Sequence, residues 1–303
     1  MIKLSAIDIG SNAIRMIVAE TPRTDALQFK TIKKLRAPLR LGAQVFLTGQ
    51  IAPLDIEIAT QIFKDFQKEN ELFKVKKCKA VATSATRDAK NQSDFLSAVF
   101  NASGIKIEVI DGVEEARLIH LAIKKKYNLL QKNALLIDVG GGSVEVSFSQ
   151  NAQLTSTQSF PLGTVRLIDE LKKRKATEDK TSLIIAEQLN PLSHHIHAHI
   201  DKNPVTFAIG TGGNLEFLLD FRNRFLSKKP KKYFTYSELT LILNILKSTT
   251  LKERMEKYDI KKDRADVIFP AALVVQTILH QSEVRKVYVP KVGLREGVLW
   301  SMI

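Results

Sequence analysis

The chain has 303 residues, 44% hydrophobic and 26% charged, with a formal net charge of +14 and one cysteine. That size and balance describe two globular domains with sizeable cores, and exclude a fibrous or disordered protein. One cysteine, Cys78, excludes an internal disulfide and fits a reducing compartment. No uninterrupted apolar run is long enough to span a bilayer, and Asp8 interrupts the first one before a signal-type segment develops. The expectation is a cytoplasmic protein with no membrane partner.

The first predicted element is a strand that reaches Asp8, turns through Gly10-Ser11-Asn12 and returns as a second strand over 14–18. Strand–turn–strand is a hairpin, unlike the strand–loop–helix of a Walker phosphate loop. A helical pattern follows over 54–71, then a strand over 79–83. Ala82-Thr83-Ser84-Ala85-Thr86-Arg87 leads from that strand into a loop, where Arg87 is either a bidentate phosphate ligand or an ordinary surface arginine. A helix over 93–102 and a strand over 105–110 complete the first domain, set at residues 1–123.

Asp111-Gly112-Val113-Glu114-Glu115 opens a helix near the end of that domain. Asp111 is its expected cap, with Glu114 three residues on as the capping-box partner. Leu118, Ile119, Ala122 and Ile123 form an apolar stripe, and Glu115 falls on it. Two readings of Glu115 stand: a general base on the inward face, or a second carboxylate favoured by the helix dipole.

The second domain, set at 124–303, opens with a second hairpin: a strand to Asp138, the turn Gly140-Gly141-Gly142-Ser143, and a strand in which Val144, Val146 and Phe148 alternate with Glu145 and Ser147. Asp8 and Asp138 stand 130 positions apart, about one domain length, which points to a duplicated domain. Glycine turns of this kind let successive backbone amides converge on an anion. Asp8 and Asp138 close otherwise apolar strands, where a carboxylate is costly unless it binds a cation or hydrogen-bond donors.

Farther on, His194, His195, His197 and His199 read as a solvent-exposed helix, since Asp201 is the one carboxylate beside them. A strand over 205–209 leads into Gly210-Thr211-Gly212-Gly213-Asn214, a glycine-rich turn able to hold a phosphate at a helix start. Mostly helix is expected from 215 on, with an exposed loop over 228–232. That loop is one of four basic runs, with 74–77, 124–126 and 172–175. Each reads as a solvated surface or as a collector of anionic ligand. Aromatics at 7%, not interleaved with these runs, disfavour nucleic acid.

Together these motifs resemble the exopolyphosphatase / guanosine-pentaphosphate phosphatase family of the actin-like superfamily. Pro161-Leu162-Gly163-Thr164-Val165-Arg166-Leu167, Asp263-Arg264-Ala265-Asp266-Val267-Ile268 and Gly293-Leu294-Arg295-Glu296-Gly297 extend the match over nearly the whole chain. The resemblance implies an α/β fold of two actin-like (ribonuclease H-like) domains with an interdomain cleft, the last helix packing back on the first domain. It implies Glu115 as the residue that activates water, with Arg87 as its catalytic partner on phosphate. It implies phosphate contacts from Ser11, Asn12 and Arg15, from Gly140, Gly141, Gly142 and Ser143, and from Gly210, Thr211, Gly212 and Gly213. It implies Mg²⁺ held by Asp138 and Glu145, with Asp8 close by.

The chain departs from the family pattern at Ala13, usually Ser, at Asn214, usually Thr, and at Ala43-Gln44, which lack the usual Glu after Leu41-Gly42. It also lacks the carboxy-terminal domains of the long exopolyphosphatases, which weakens any expectation of processive action on long polymer. The expected substrate is inorganic polyphosphate. Guanosine pentaphosphate, and a sensor that binds such ligands without turnover, are the alternatives; a sugar-type kinase shares the fold but needs an acceptor hydroxyl. A homodimer stays open.

Overall fold

The computed structural model describes residues 1–22, 29–175, 178–200, 204–227 and 229–303. Asp201 and Lys228 lie outside the described residues. Two compact units emerge, one of residues 1–127 with 292–303, the other of residues 128–291.

The first unit runs β1 (Ile2–Ile9), β2 (Ile14–Thr21), β3 (Lys30–Ala37), α1 (Gly42–Thr48), α2 (Pro53–Leu72), β4 (Lys77–Ala82), α3 (Ser84–Asp88), α4 (Gln92–Ser103), β5 (Ile107–Val109) and α5 (Gly112–Lys124). Among the described residues its sheet has the order β3-β2-β1-β4-β5, antiparallel through the first three strands and parallel through β4 and β5. Ile7 and Ile9 of β1 and Ile14, Met16 and Val18 of β2 fill one face, as period-2 alternation requires. Against that core α2 buries Ala59, Phe63 and Phe66, a helical stripe begun by Pro53 in its first turn. The segment read as a loop around Arg87 is instead the short helix α3.

The second unit runs β6 (Asn133–Val139), β7 (Val144–Gln150), β8 (Gln153–Phe160), α6 (Thr164–Lys173), α7 (Glu178–Gln188), α8 (Asn190–Ile200), β9 (Phe207–Thr211), α9 (Gly212–Phe221), a π-helical turn (Arg222–Leu226), β10 (Tyr233–Thr235), α10 (Tyr236–Lys247), α11 (Leu251–Tyr258), α12 (Lys262–Ala265), α13 (Ile268–Gln281) and β11 (Lys286–Tyr288). Its sheet order is β10-β11-β9-β6-β7-β8. Read from β8, the first five positions repeat the first unit strand for strand, with β10 added at the far edge. This 3-2-1-4-5 order, antiparallel then parallel, is the expected actin-like (ribonuclease H-like) topology, present twice. Val144, Val146 and Phe148 face the second core, with Leu135 and Ile137.

The last helix, α14 (Leu294–Trp300), belongs to the first unit and lies against α5, so closely that a Cβ on Gly297 would overlap the carbonyl of Leu118. The histidine helix, α8, is not simply solvated. His195 and His199 lie 4.4 Å apart, and both rings pack on Phe148, because Leu192 and Ile196 turn that face of α8 toward the core.

Candidate active site

Both hairpins place charged side chains opposite one another by register. In an antiparallel pair, directly opposed residues point to the same face. Asp8 pairs with Arg15 across β1 and β2, and Arg15 Nη1 lies 3.3 Å from Asp8 Oδ2. Asp138 pairs with Glu145 across β6 and β7. The turns match as well: the Gly10 amide donates to Ala13 O at 3.2 Å, and the Gly140 amide to Ser143 O at 3.0 Å. Asp8 thus meets a guanidinium where Asp138 meets a second carboxylate.

The segment after the third strand braces each turn. Leu39 N donates to Ala37 O at 2.9 Å and Leu162 N to Phe160 O at 2.7 Å, closing equivalent bends at Pro38-Leu39 and Pro161-Leu162. In the first unit Gly42 N then donates to Ser11 O at 2.9 Å, and Arg40 Nε to Asn12 Oδ1 at 2.7 Å. In the second, Thr164 N donates to Gly140 O at 3.1 Å, Val165 N to Gly141 O at 2.8 Å and Arg166 Nε to Gly142 O at 2.7 Å. Gly163 sits so close that a Cβ there would overlap the backbone of Gly141 and Gly142. The start of α6 therefore engages the turn carbonyls. The amides of Gly141, Gly142 and Ser143 take no partner among the described residues. Successive unengaged amides are the donors an anion needs.

Thr211, expected to touch phosphate, directs its hydroxyl to Asp138 Oδ2 at 2.5 Å. Gly212 has φ +82°, and a Cβ on it would stand 3.0 Å from Asp138 Oδ1 and 3.2 Å from Oδ2. Glycine there leaves the carboxylate its room. Gly210 has a packing role instead: a Cβ would meet Leu215 Cγ at 2.8 Å and Val287 Cγ1 at 2.9 Å. Gly213 lies in the first turn of α9. Asn214 Nδ2 donates to Val139 O at 2.8 Å, tying that turn to the end of β6.

Glu145 is 2% exposed and accepts from Ser159 Oγ at 2.7 Å. Two carboxylates side by side, one of them buried, repel unless donors or a cation bind them. Their hard oxygens, with the space left by Gly212, fit Mg²⁺, which takes one or two carboxylates and completes its shell with water and substrate phosphate. Among the described residues no group of three or more His, Cys, Asp or Glu is arranged for a metal, so a metal reading rests on this pair. Asp8 is differently placed, its Oδ2 already beside Arg15.

In the first unit Asp111 caps α5, its Oδ1 accepting from Glu114 N at 2.8 Å. The reciprocal half of the capping box is replaced: Glu114 binds Arg117 through both oxygens, at 2.6 and 2.8 Å. That hydrogen-bonded partner holds the Glu114 carboxyl below its usual range. Glu115, one residue on, is 8% exposed and shares the buried face with Leu118, Ile119, Ala122 and Ile123. Arg87 Nη1 donates to Ile110 O at 2.7 Å, which fixes this guanidinium beside the start of α5. Ser11 Oγ lies 2.8 Å from Ser84 Oγ, joining the first turn to α3.

Arg40, Gly163 and Arg166 were not among the expected site residues. The repeated Pro-Leu pair ahead of each brace is the signal that finds them.

The chain as a whole is similar to known proteins. A model of the Ppx/GppA phosphatase family matches residues 17–303. Exopolyphosphatase 1 of Mycobacterium tuberculosis is 25% identical over 301 residues, covering 98% of this chain and 87% of that protein. The Mycobacterium leprae protein of the same name has equal identity and is covered to 88%. Among solved structures, the Aquifex aeolicus Ppx/GppA family member superposes with TM-score 0.77 at 28% identity, covering 99% of this chain and 97% of that one. An exopolyphosphatase from Cytophaga hutchinsonii shares the fold with TM-score 0.86 at 23% identity, covering 99% and 97%. The braced glycine turn, the carboxylate pair and the buried Glu115 all lie within the matched span, and the chain belongs to the Ppx/GppA phosphatase family.

Proposed function

We propose that this phosphatase is a Mg²⁺-dependent exopolyphosphatase that removes the terminal phosphate of inorganic polyphosphate. The observation that carries the reading is the Asp138–Glu145 pair beside a glycine turn whose carbonyls are engaged by α6 and whose next three amides are unengaged. The mycobacterial relatives are exopolyphosphatases by name, which supports the substrate.

In this reading Gly141, Gly142 and Ser143 donate amides to phosphate oxygens, and Asp138 and Glu145 hold the metal. Bound there, Mg²⁺ neutralises charge on the transferring phosphoryl group. Glu115 accepts a proton from the attacking water. The water oxygen bonds to the terminal phosphorus, the bridging P–O bond breaks, and orthophosphate leaves a chain one unit shorter. Arg87, steadied by Ile110 O, contributes a guanidinium to phosphate, as does Arg15, and the turn at Ser11 and Asn12 adds polar contacts. Asp8 keeps Arg15 in place. The cytoplasmic setting belongs to the same proposal.

The test measures orthophosphate release from short polyphosphate, long polyphosphate and guanosine pentaphosphate in parallel, with Mg²⁺ and with excess chelator. Metal-dependent release from both polyphosphates supports the reading. Release from guanosine pentaphosphate alone assigns the nucleotide instead, and release undiminished in chelator removes the metal.

A further inference from the structure

The basic run near residue 230 leads straight into β10, and the fold brings both to the distant strand β11 on one edge of the second unit. Tyr233 of β10 stands opposite Tyr288 of β11 in register, their rings 5.4 Å apart, and Tyr288 meets Phe207 of β9 edge-on at 5.8 Å. Lys231 Nζ lies 5.2 Å and Lys286 Nζ 5.5 Å from the Tyr233 ring. Lys232 O accepts from Val289 N at 2.9 Å, which sets this segment beside the carboxyl end of β11. Lys229, Lys232 and Lys286 are exposed and take no ion-pair partner among the described residues.

The lysine segment is held, not merely solvated. Arg222 is 1% exposed, donates to Lys229 O at 2.8 Å, and is charge-balanced by Glu238 at 2.8 Å. Asn223 grips Lys231 twice, through its amide and its carbonyl, both at 3.0 Å. A buried guanidinium is an expensive anchor, tolerated because its hydrogen bonds and counter-charge are satisfied. An ordinary solvated loop has no need of one.

The strand order β10-β11-β9-β6 puts these amines on the sheet that carries the glycine turn. β10 and β6, whose end opens the glycine turn, are three strand spacings apart, about 14 Å. We infer that Lys229, Lys232 and Lys286 form a second anion site, which holds distal phosphates of a polyphosphate whose end is engaged at the glycine turn. The inference rests on the polyphosphate reading above. The ring contacts favour an inorganic chain over a nucleic acid: Tyr233 and Tyr288 are engaged by amines and by each other, whereas base stacking needs an open ring face.

The test compares wild type with the triple variant Lys229→Gln, Lys232→Gln, Lys286→Gln, and with a control neutralising Lys172 and Lys173 on α6. Orthophosphate release is followed on tripolyphosphate and on long polyphosphate across a salt series. Expected for the triple variant are kcat/KM for long chains reduced about tenfold at low salt, the lower end of electrostatic steering, and a flattened salt dependence. Tripolyphosphate, too short to span both sites, should be unaffected, and so should the control variant on both substrates. Equal losses on short and long chains, or none, overturn the inference. So does a single-stranded oligonucleotide that inhibits wild type more strongly than polyphosphate of matched charge and loses that inhibition in the triple variant. Wild type inactive on every polyphosphate would instead defeat the underlying functional reading, and with it this inference.

Discussion

Glu145 stands opposite Asp138 at the register position that Arg15 holds opposite Asp8. The duplicated hairpin thus carries an ion pair in one copy and a carboxylate pair in the other. An ion pair balances its own charge, whereas two adjacent carboxylates that accept neutral hydroxyls do not, and they suit a cation. Asp138→Asn and Glu145→Gln should each raise the Mg²⁺ concentration needed for half-maximal phosphate release. Asp8→Asn should act mainly by loosening Arg15. A metal titration of the three variants checks this, and an unchanged Mg²⁺ requirement in both second-unit variants would remove the pair as the metal site.

Glu115 and Glu114 are neighbours with opposite environments. Glu115→Gln should lower kcat by about 10²–10⁴-fold, the usual contribution of a positioned base, or roughly 3–5 kcal/mol of barrier. Glu114→Gln removes a largely solvated pair with Arg117, worth about 0–1 kcal/mol of stability, and should leave kcat nearly unchanged. Parallel kinetics and urea unfolding of both variants separate these effects. Equal losses of kcat would assign the wrong carboxylate.

The brace on the glycine turn can be tested without touching a charged group. Gly163→Ala forces a Cβ into the backbone of Gly141 and Gly142. Overpacking of this kind typically destabilises by about 1–3 kcal/mol. The turn should shift and its amides lose their convergence, so kcat/KM should fall even at temperatures where the variant remains folded. A folded variant with unaltered kinetics would show that the turn does not bind substrate.

Acid sensitivity follows from His120 on α5. Burial, with Lys124 adding to it, pushes its pKa down to about 4. The unfolded chain takes up this proton near pH 6.5 and the folded chain only near pH 4. The neutral imidazole therefore contributes fully above 6.5, and its contribution is lost as pH falls toward 4. His195, lowered by burial and by His199, acts with the same sign. Urea midpoints at pH 7.5 and 5 should differ in wild type, and His120→Asn should narrow the difference.

The sequence shows both hairpins plainly, because alternation and an Asp-to-glycine turn are local patterns. The inward face of Glu115 is equally local, set by the 3.6-residue spacing to Leu118 and Ile119. Other features depend on distant partners. Thr211 bonds Asp138 across neighbouring parallel strands, and no spacing rule reports that a hydroxyl expected on phosphate has gone to a carboxylate. His195 and His199 look solvated until Phe148 is brought beneath them. The lysine–tyrosine edge joins segments near 207, 233 and 288, whose meeting no local pattern reports. β10 and β11 are each three residues long, too short to announce themselves by alternation.

The most direct measurement is the product distribution from long polyphosphate incubated with the wild-type protein and Mg²⁺. The account predicts orthophosphate from the first turnovers, with the remaining chains shortened from their ends. Fragments of intermediate length without orthophosphate, or chains left intact, would contradict it.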